Sequence, residues 1–512
     1  MGILDKGYLW RIRLFIFISG AVVMALEMVG SRLLAPIFGD SVFVWGSLIG
    51  VVMASLAAGY YLGGMLADKE SSFRAFSMII FAAGALIVPI PMFSNIVLET
   101  ALNSGLGEKY GPVLASLLLL SAPTILLGMV SPYAIRLATS SLNKVGSISG
   151  SLYSVSTGGS IFGTFFTVFV LIPSFGVRSI LVSLGVVLML VSMLGISREQ
   201  KVIAVLFIIV LVLPSTTFLR RPLTIFTGTV VYHKDTTYNS LTVVDDARRG
   251  VRTLYLNNMP HSAFYLNGSN RAVFRYTDYF NIGFVLNPGI ERVLFIGGGG
   301  FSGPKQFLEY YPDITVDVVE IDPDVVQTAR NYFEVPDDPR LLVHVADGRA
   351  FLAKAGKYDL IVLDAYSKTY VPFHLMTFEF FQALSEHLNP DGVMVSNLIS
   401  SLIGDTSNLL MAEYKTVNKV FPQIYLFPTR DVSLSRVQNI ILVATETATR
   451  YEKGDLMTLA KKAPSMGETL AEYSEYLFDL ELDVEDSPLL TDDYAPTESL
   501  LNPVTLSPYK VD

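Results

Sequence analysis

The feature that most constrains this chain is a series of apolar stretches, each near the length of a bilayer crossing, confined to residues 14–218. A span needs about 20 mostly apolar residues. Candidates fall at 14–38, 44–66, 76–93, 112–135, 148–172, 180–196 and 202–218, about seven by that length rule. The first is too long, and too closely followed by others, to be a cleaved signal peptide. In the last, the uninterrupted apolar run 202–213 is short, which also suits an interfacial or re-entrant segment. With 51% hydrophobic and 16% charged residues, against about 25% charged in soluble domains, the chain is neither an ordinary soluble enzyme nor a disordered protein.

Lys and Arg placement sets the expected topology. Lys6, Arg11 and Arg13 precede the first span. Lys69 and Arg74 follow the second, Arg136 and Lys144 the fourth, and Arg198 and Lys201 the sixth. The opposite side carries Lys109 and Arg178, so the N-terminus is inside. Seven crossings then put the remainder outside, whereas Arg220 and Arg221 favour inside. Pro89, Pro91, Pro123 and Pro132 predict kinks, and the Gly/Ser-rich stretch 146–163 predicts close helix packing. Glu27 and Arg32 are intramembrane charges that form a locking pair or a functional group.

Beyond residue 221 the character changes. The first 221 residues hold 14 Lys+Arg and 8 Asp+Glu, and the remainder 23 and 38. No cysteine is present, which excludes disulfides, thiolate metal sites and thiol catalysis. Five histidines without close spacing make no metal centre, so no metal is expected. The net charge of -9 disfavours nucleic acid. Residues 229–233, 240–245 and 252–256 read as a small β-hairpin subdomain. Strands at 292–296, 315–320, 342–345, 360–364, 392–397 and 439–444 then alternate with helices at 304–310, 324–332, 377–387 and 409–421. That alternation predicts a doubly wound, Rossmann-like parallel sheet. The expected organisation is a polytopic α-helical membrane domain over 1–221, the β subdomain over 222–282, the α/β domain over 283–450 and an acidic segment over 451–512.

Ligands of such sheets sit at the strand carboxyl ends. Gly297, Gly298, Gly299 and Gly300 end the first strand, where glycine lets backbone approach a ligand. Glu320 ends the second, placed to take two ribose hydroxyls; Asp347 and Gly348 follow the third, and Asp364 the fourth. One such acid is ordinarily a helix cap, but three in order after a glycine turn point to a nucleoside site. A dinucleotide site has no need of the third acid, and no P-loop lysine is present.

The back half resembles the spermidine synthase (polyamine aminopropyltransferase) family, and the whole chain resembles its membrane-fused relatives. The matching text runs Tyr238-Asn239, Leu256-Asn257-Asn258, Tyr276-Thr277-Asp278 and Val293 to Gly299. It continues through Val319-Glu320-Ile321-Asp322, Asp338-Pro339-Arg340, Asp347-Gly348, Tyr358 to Ile361, Leu363-Asp364 and Phe378 to Phe381. Glu27 to Pro36, and Leu490 to Pro496 with Glu498, resemble the membrane-fused group. The resemblance implies a fold of the adenosylmethionine-dependent transferase type. It implies decarboxylated S-adenosylmethionine, or S-adenosylmethionine, as co-substrate, and no metal. Asp364 would be the general base. Asn239, Gly297, Gly299, Glu320, Asp347, Gly348 and Pro372 would face the nucleoside, and His261, Thr277, Asp278, Tyr366 and Ser367 the acceptor. Because a nucleoside-dependent enzyme needs cytoplasmic substrate, a multi-pass protein of the cell membrane with a cytoplasmic transferase domain is expected, with one counted segment not spanning, and a homo-oligomer is one state that the soluble relatives suggest.

Departures concentrate on the acceptor side. The family's two glutamines become Asn239 and His261, its Tyr-His-Glu histidine Thr277, and its two acceptor-side aspartates Gly300 and Ser367. A diamine is dicationic and needs compensating carboxylates. The loop 365–374 is aromatic and basic instead, which suits a lipid-like acceptor or simply a packed lid. His374 is a second base or a structural residue. Thr491, Asp492, Asp493 and Glu498 either return carboxylates to the site or cap a turn. Three readings remain: aminopropyl transfer to an amine, methyl transfer to a membrane or hydrophobic substrate, and a transporter that senses a nucleoside without turnover.

Overall fold

Two compact units divide the chain, one of residues 1–225 with Lys234–Asn239, the other of Phe226–His233 with Ser240–Asp512. The computed structural model describes residues 6–39, 41–139, 145–218, 227–368, 370–429, 433–480, 482–505, 507 and 509. Lys144, Arg220, Arg221, Thr369 and positions 222–226 of the expected β subdomain lie outside the described residues.

The first unit is helical: α1 (Lys6–Phe38), α2 (Val42–Lys69), α3 (Phe73–Ile87), α4 (Ile90–Leu102), α5 (Gly107–Ala138), α6 (Val145–Phe166), α7 (Ile172–Ser174), α8 (Val177–Ser192) and α9 (Arg198–Phe218). A π-helical turn, Thr167–Leu171, joins α6 to α7. Ser41 and Ser72 start α2 and α3 by accepting the amides of Val44 and Ala75. Among the described residues five helices are long and apolar enough to cross a membrane. The pair α3 and α4, bent by 59°, makes a sixth if counted as one span. Pro89 and Pro91 stand at that bend, where neither supplies an amide proton. The stretch expected as a seventh span falls in α9, which is not among the helices that are long and apolar enough over the described residues. Arg32 donates to the Tyr238 carbonyl at 3.1 Å, and among the described residues no ion pair joins it to Glu27.

Small residues let these helices touch backbone to backbone. A Cβ on Gly159 or Gly163 of α6 would lie 2.1 or 2.2 Å from the carbonyl oxygens of Phe17 or Ala21 on α1. Gly59 of α2 meets the Ile125 carbonyl of α5 in the same way, at 2.3 Å.

The second unit opens with a four-stranded sheet, β1 (Thr229–Asp235), β2 (Ser240–Asp246), β3 (Val251–Leu256) and β4 (Met259–Tyr265), in that order. Asn257 and Asn258, at φ 48° and 65°, form the two-residue turn between β3 and β4, as left-handed asparagines do in tight hairpins. Strand β4 was not expected, because Pro260 and His261 interrupt its pattern. Two short helices, α10 (Tyr276–Tyr279) and α11 (Gly283–Leu286), lead into the main sheet. Its elements are β5 (Arg292–Ile296), α12 (Ser302–Tyr310), β6 (Thr315–Glu320), α13 (Pro323–Tyr332), β7 (Leu341–Val345), α14 (Gly348–Leu352) and β8 (Tyr358–Leu363). They continue as α15 (Phe378–Glu386), β9 (Leu388–Ser400), α16 (Asn408–Val417), β10 (Gln423–Pro428) and β11 (Gln438–Thr445). Helices α17 (Lys453–Ala460), α18 (Gly467–Ser474) and α19 (Thr497–Thr505) follow.

The seven-stranded order is β10-β11-β9-β8-β5-β6-β7. Strands β7, β6, β5, β8 and β9 are parallel, but β11 runs antiparallel to β9 and to β10. The sheet is therefore mixed rather than parallel throughout. The unexpected strand β10 is the antiparallel neighbour of β11 at the sheet edge. Apolar side chains bury on both faces, with Val293, Phe295, Val316 and Val318 on one and Leu294, Ile296, Ile361 and Leu363 on the other. Chain order reverses at β5, whose neighbours are β6 and β8, and that switch point is where a ligand crevice opens.

Gly163→Val would drive a branched side chain into the Ala21 carbonyl. It is expected to cost about 1–3 kcal/mol, the usual range for overpacking, and to lower the unfolding midpoint of the detergent-solubilised protein. An unchanged midpoint would show that α1 and α6 do not pack this closely.

Candidate active site

Four loops meet where β5 to β8 end. Gly297 donates its amide to Val319 at 2.9 Å, Ala346 donates to Glu320 at 3.1 Å, and Asp364 donates to Ile296 at 2.9 Å. These bonds carry the ladder one residue past the strand ends, which fixes the loops relative to one another. Gly297 has φ 102° and a Cβ there would lie 2.4 Å from the Asp364 carbonyl oxygen. Only glycine meets both conditions.

Glu320 faces the glycine turn. One carboxylate oxygen accepts the amides of Gly298 (3.0 Å) and Gly299 (3.3 Å), and the other accepts that of Asp322 (3.0 Å). Its side chain is buried, and desolvation raises its pKa against the opposing pull of those three amides. An acid held in this way is preorganised to receive hydroxyl donors. Asp347 caps α14 by accepting the Ala350 amide at 2.9 Å, and its second oxygen lies 3.0 Å from His374 Nε2. Gly348 is packed tightly, since a Cβ would stand 2.4 Å from Ile296 Cγ2.

Asp364 is half-buried. Asn397, near the carboxyl end of β9, donates to its Oδ1 at 2.9 Å, and the Tyr276 hydroxyl oxygen lies beside it. Desolvation outweighs these polar neighbours, and its pKa is pushed up to about 7. Some of its surface stays open to solvent, so a ligand can reach it. Tyr276 in turn donates to the His261 carbonyl at 3.0 Å. The His261 ring sits 2.9 Å from the Met259 carbonyl through Nδ1, and burial lowers its pKa, so the ring is neutral.

Other expected residues are placed differently. Asn239 lies in the β1–β2 turn, bonded to Thr236 and grouped with the helical unit. Thr277 is buried in α10. Asp278 accepts from Gln306 (2.6 Å) and Tyr473 (3.2 Å), tying α10 to α12 and α18. Tyr366 is buried, and its hydroxyl donates to the Leu375 carbonyl at 2.8 Å, so this ring packs the loop rather than facing a cavity. Ser367 closes a turn with Tyr370, and Pro372 precedes the short helical turn Phe373–Leu375. At Gly300 a Cβ would stand 2.8 Å from Ser262 Cβ and 3.1 Å from Phe333 Cδ1, while its amide donates to Ser262 Oγ. An aspartate therefore has no room there.

The acidic tail motif is also consumed structurally. Asp492 makes a two-pronged pair with Arg349, at 2.6 and 2.7 Å, and accepts from Thr377 at 2.8 Å. Glu498 lies in the first turn of α19. Sequence reasoning passed over Ser262, Arg349, Asn397 and Asn439. The polar pair Ser396-Asn397 ending an apolar strand was the available signal for one of them.

Residues 274–448 match the family model described as Spermine/spermidine synthase domain. The chain is 32% identical over 290 residues to a polyamine aminopropyltransferase of Vibrio vulnificus, covering 55% of this chain and 95% of that protein. It is 34% identical over 226 residues to a probable polyamine aminopropyl transferase of Bifidobacterium longum, covering 41% of this chain and 49% of that protein. A crystal structure of spermidine synthase from Thermotoga maritima superposes with a TM-score of 0.40 at 20% identity, covering 49% of this chain and 84% of that chain.

Glu320→Gln replaces an acceptor of three amides with a group that also carries donors. Leaving buried amides unpaired costs about 1–3 kcal/mol, so affinity for methylthioadenosine, read by calorimetry, is expected to fall about 10-fold or more. Wild-type affinity in this variant would remove Glu320 from the nucleoside site.

Proposed function

Because the chain belongs to the spermidine synthase (polyamine aminopropyltransferase) family of transferases, we propose that it transfers an aminopropyl group from decarboxylated S-adenosylmethionine to an amine. The observation that carries this reading is Asp364, a carboxylate with a pKa pushed up to about 7, at the switch point beside the glycine turn. In this account Glu320 takes the ribose hydroxyls and Asp347 the adenine amine. The donor supplies a carbon already bonded to a sulfonium. The amine's lone pair attacks that carbon, the carbon–sulfur bond breaks, and its electron pair stays on the sulfur of methylthioadenosine. Before the attack Asp364 takes one proton from the incoming ammonium and so frees that lone pair, and the product leaves as a secondary ammonium. A base with a pKa near neutrality combines a useful ionised fraction with adequate basicity, while the buried site orients the nucleophile.

The acceptor in this proposal is a small amine. Tyr366 is turned inward, and Gly300 faces Ser262 instead of open space, so neither adds charge at the acceptor side. We further propose a membrane-anchored enzyme, with the transferase unit on the cytoplasmic side where its nucleoside donor is made. The Lys/Arg bias of the helical unit supports an N-terminus on that side.

Only ionised Asp364 accepts a proton, so kcat/KM is expected to rise about tenfold per pH unit below pH 7 and to level above it. Asp364→Asn is expected to lower turnover about 10²–10⁴-fold while methylthioadenosine still binds. Burial disfavours the ionised form, so the acid's contribution to stability is present at low pH and lost as pH rises from about 4 through about 7. The same variant is therefore expected to unfold at a higher temperature than wild type at pH 8. Release of methylthioadenosine, identified by mass spectrometry with the decarboxylated donor and an amine, is the deciding result. Release of adenosylhomocysteine from S-adenosylmethionine would establish methyl transfer instead.

A further inference from the structure

A chain of side chains leads from the end of the polypeptide to Asp364. The Tyr509 hydroxyl donates to Asn439 Oδ1 at 2.8 Å. Asn439 Nδ2 donates to Asn397 Oδ1 at 2.8 Å, and Asn397 Nδ2 donates to Asp364 Oδ1 at 2.9 Å. Both asparagines are buried, at 5% and 4% exposure. The sheet explains their meeting. Asn397 pairs with Ile441 and Asn439 with Ile399 in the β9–β11 register, so the two amides lie diagonally on one face. Each donor in the chain points toward the carboxylate. Reversing the Asn397 amide would set an oxygen against the oxygen of Asp364, so the order is self-consistent. Donors aligned in this way polarise one another and strengthen the last bond, the one to the acid.

We propose that Asn439 and Tyr509 are positioning residues for aminopropyl transfer, acting through Asn397 to hold Oδ1 of Asp364 and leave Oδ2 for the incoming amine. Tyr509 thereby joins the active site, which the acidic motif at 491–498 does not. This inference rests on the reading of Asp364 as the base. The titratable groups around that acid are few. Tyr276 from α10 touches it, and Tyr509 faces Tyr276. His261 from β4 holds Tyr276 by its backbone carbonyl, its own ring neutral. The Asn397 bond lowers the pKa of Asp364, so weakening that bond moves the titration upward.

The test uses the full-length protein in detergent with Tyr509→Phe and Asn439→Leu. Tyr509→Phe removes one hydroxyl and is expected to lower kcat/KM for the amine about 3- to 10-fold, the effect of one neutral hydrogen bond. Asn439→Leu is expected to lower it further. In both, the acidic limb of the pH–rate profile moves to higher pH, more for Asn439→Leu, while methylthioadenosine affinity stays at the wild-type value. A limb that stays in place in Tyr509→Phe overturns the proposal whatever happens to the rate, and that variant decides alone should Asn439→Leu not fold. A wild-type protein that turns over no amine would sink the reading of function instead. The pH dependence of its affinity for decarboxylated S-adenosylmethionine, whose sulfonium faces the same carboxylate, would then still report the titration of Asp364 in each variant, with the same upward shift expected.

Discussion

The close approach of two strand ends governs everything at this site. Where β5 and β8 finish side by side, the backbone of residue 297 passes so near the Asp364 carbonyl that a Cβ would lie 2.4 Å away. That contact requires glycine, and the glycine lets the turn swing its next two amides onto Glu320. The same contact holds the start of the Asp364 loop against Ile296. A side chain at 297 would separate the two loops and dissolve the crevice at the switch point, leaving the sheet below largely intact.

Three acids at consecutive strand ends then acquire different chemistry from their surroundings. Glu320 is buried but accepts three amides, which offsets part of the cost of burying its charge and fixes its geometry. Asp347 is more open and shares its oxygens between a helix cap and His374. Asp364 is enclosed with only neutral donors, and its pKa rises to about 7. In the proposed reaction similar carboxylic acids serve as holders of a nucleoside and as a base, and the difference between them is solvation and hydrogen bonding rather than residue type.

Much of this was legible because it follows local rules. Apolar runs bounded by Gly, Asp and Pro marked β5, β6 and β8 nearly to the residue, and the acids at their ends marked the site. What stayed hidden depends on contacts distant in sequence. Strand β10 lies between the expected helix at 409–421 and the expected strand at 439–444, where no element was expected, and its place comes from pairing with β11. Asp278 looks like a site acid in the motif Tyr276-Thr277-Asp278, yet Gln306 and Tyr473 claim it. Tyr366 looks like a lid residue facing substrate, yet it is buried with its hydroxyl bonded to Leu375. Arg349 carries no recognisable signal, because its partner Asp492 lies 143 positions away in the chain. The asparagine chain to Asp364 likewise depends on an antiparallel register that no periodicity announces.

The central claim is that one crevice at the β5–β8 switch point holds both the nucleoside and the base that acts beside it. A structure of the full-length protein with methylthioadenosine bound tests it most directly. The account predicts the ribose hydroxyls on Glu320, the adenine amine on Asp347, and Oδ2 of Asp364 facing the thioether side of the ligand. A nucleoside bound elsewhere, or one bound here with Asp364 turned away from its sulfur, would contradict it.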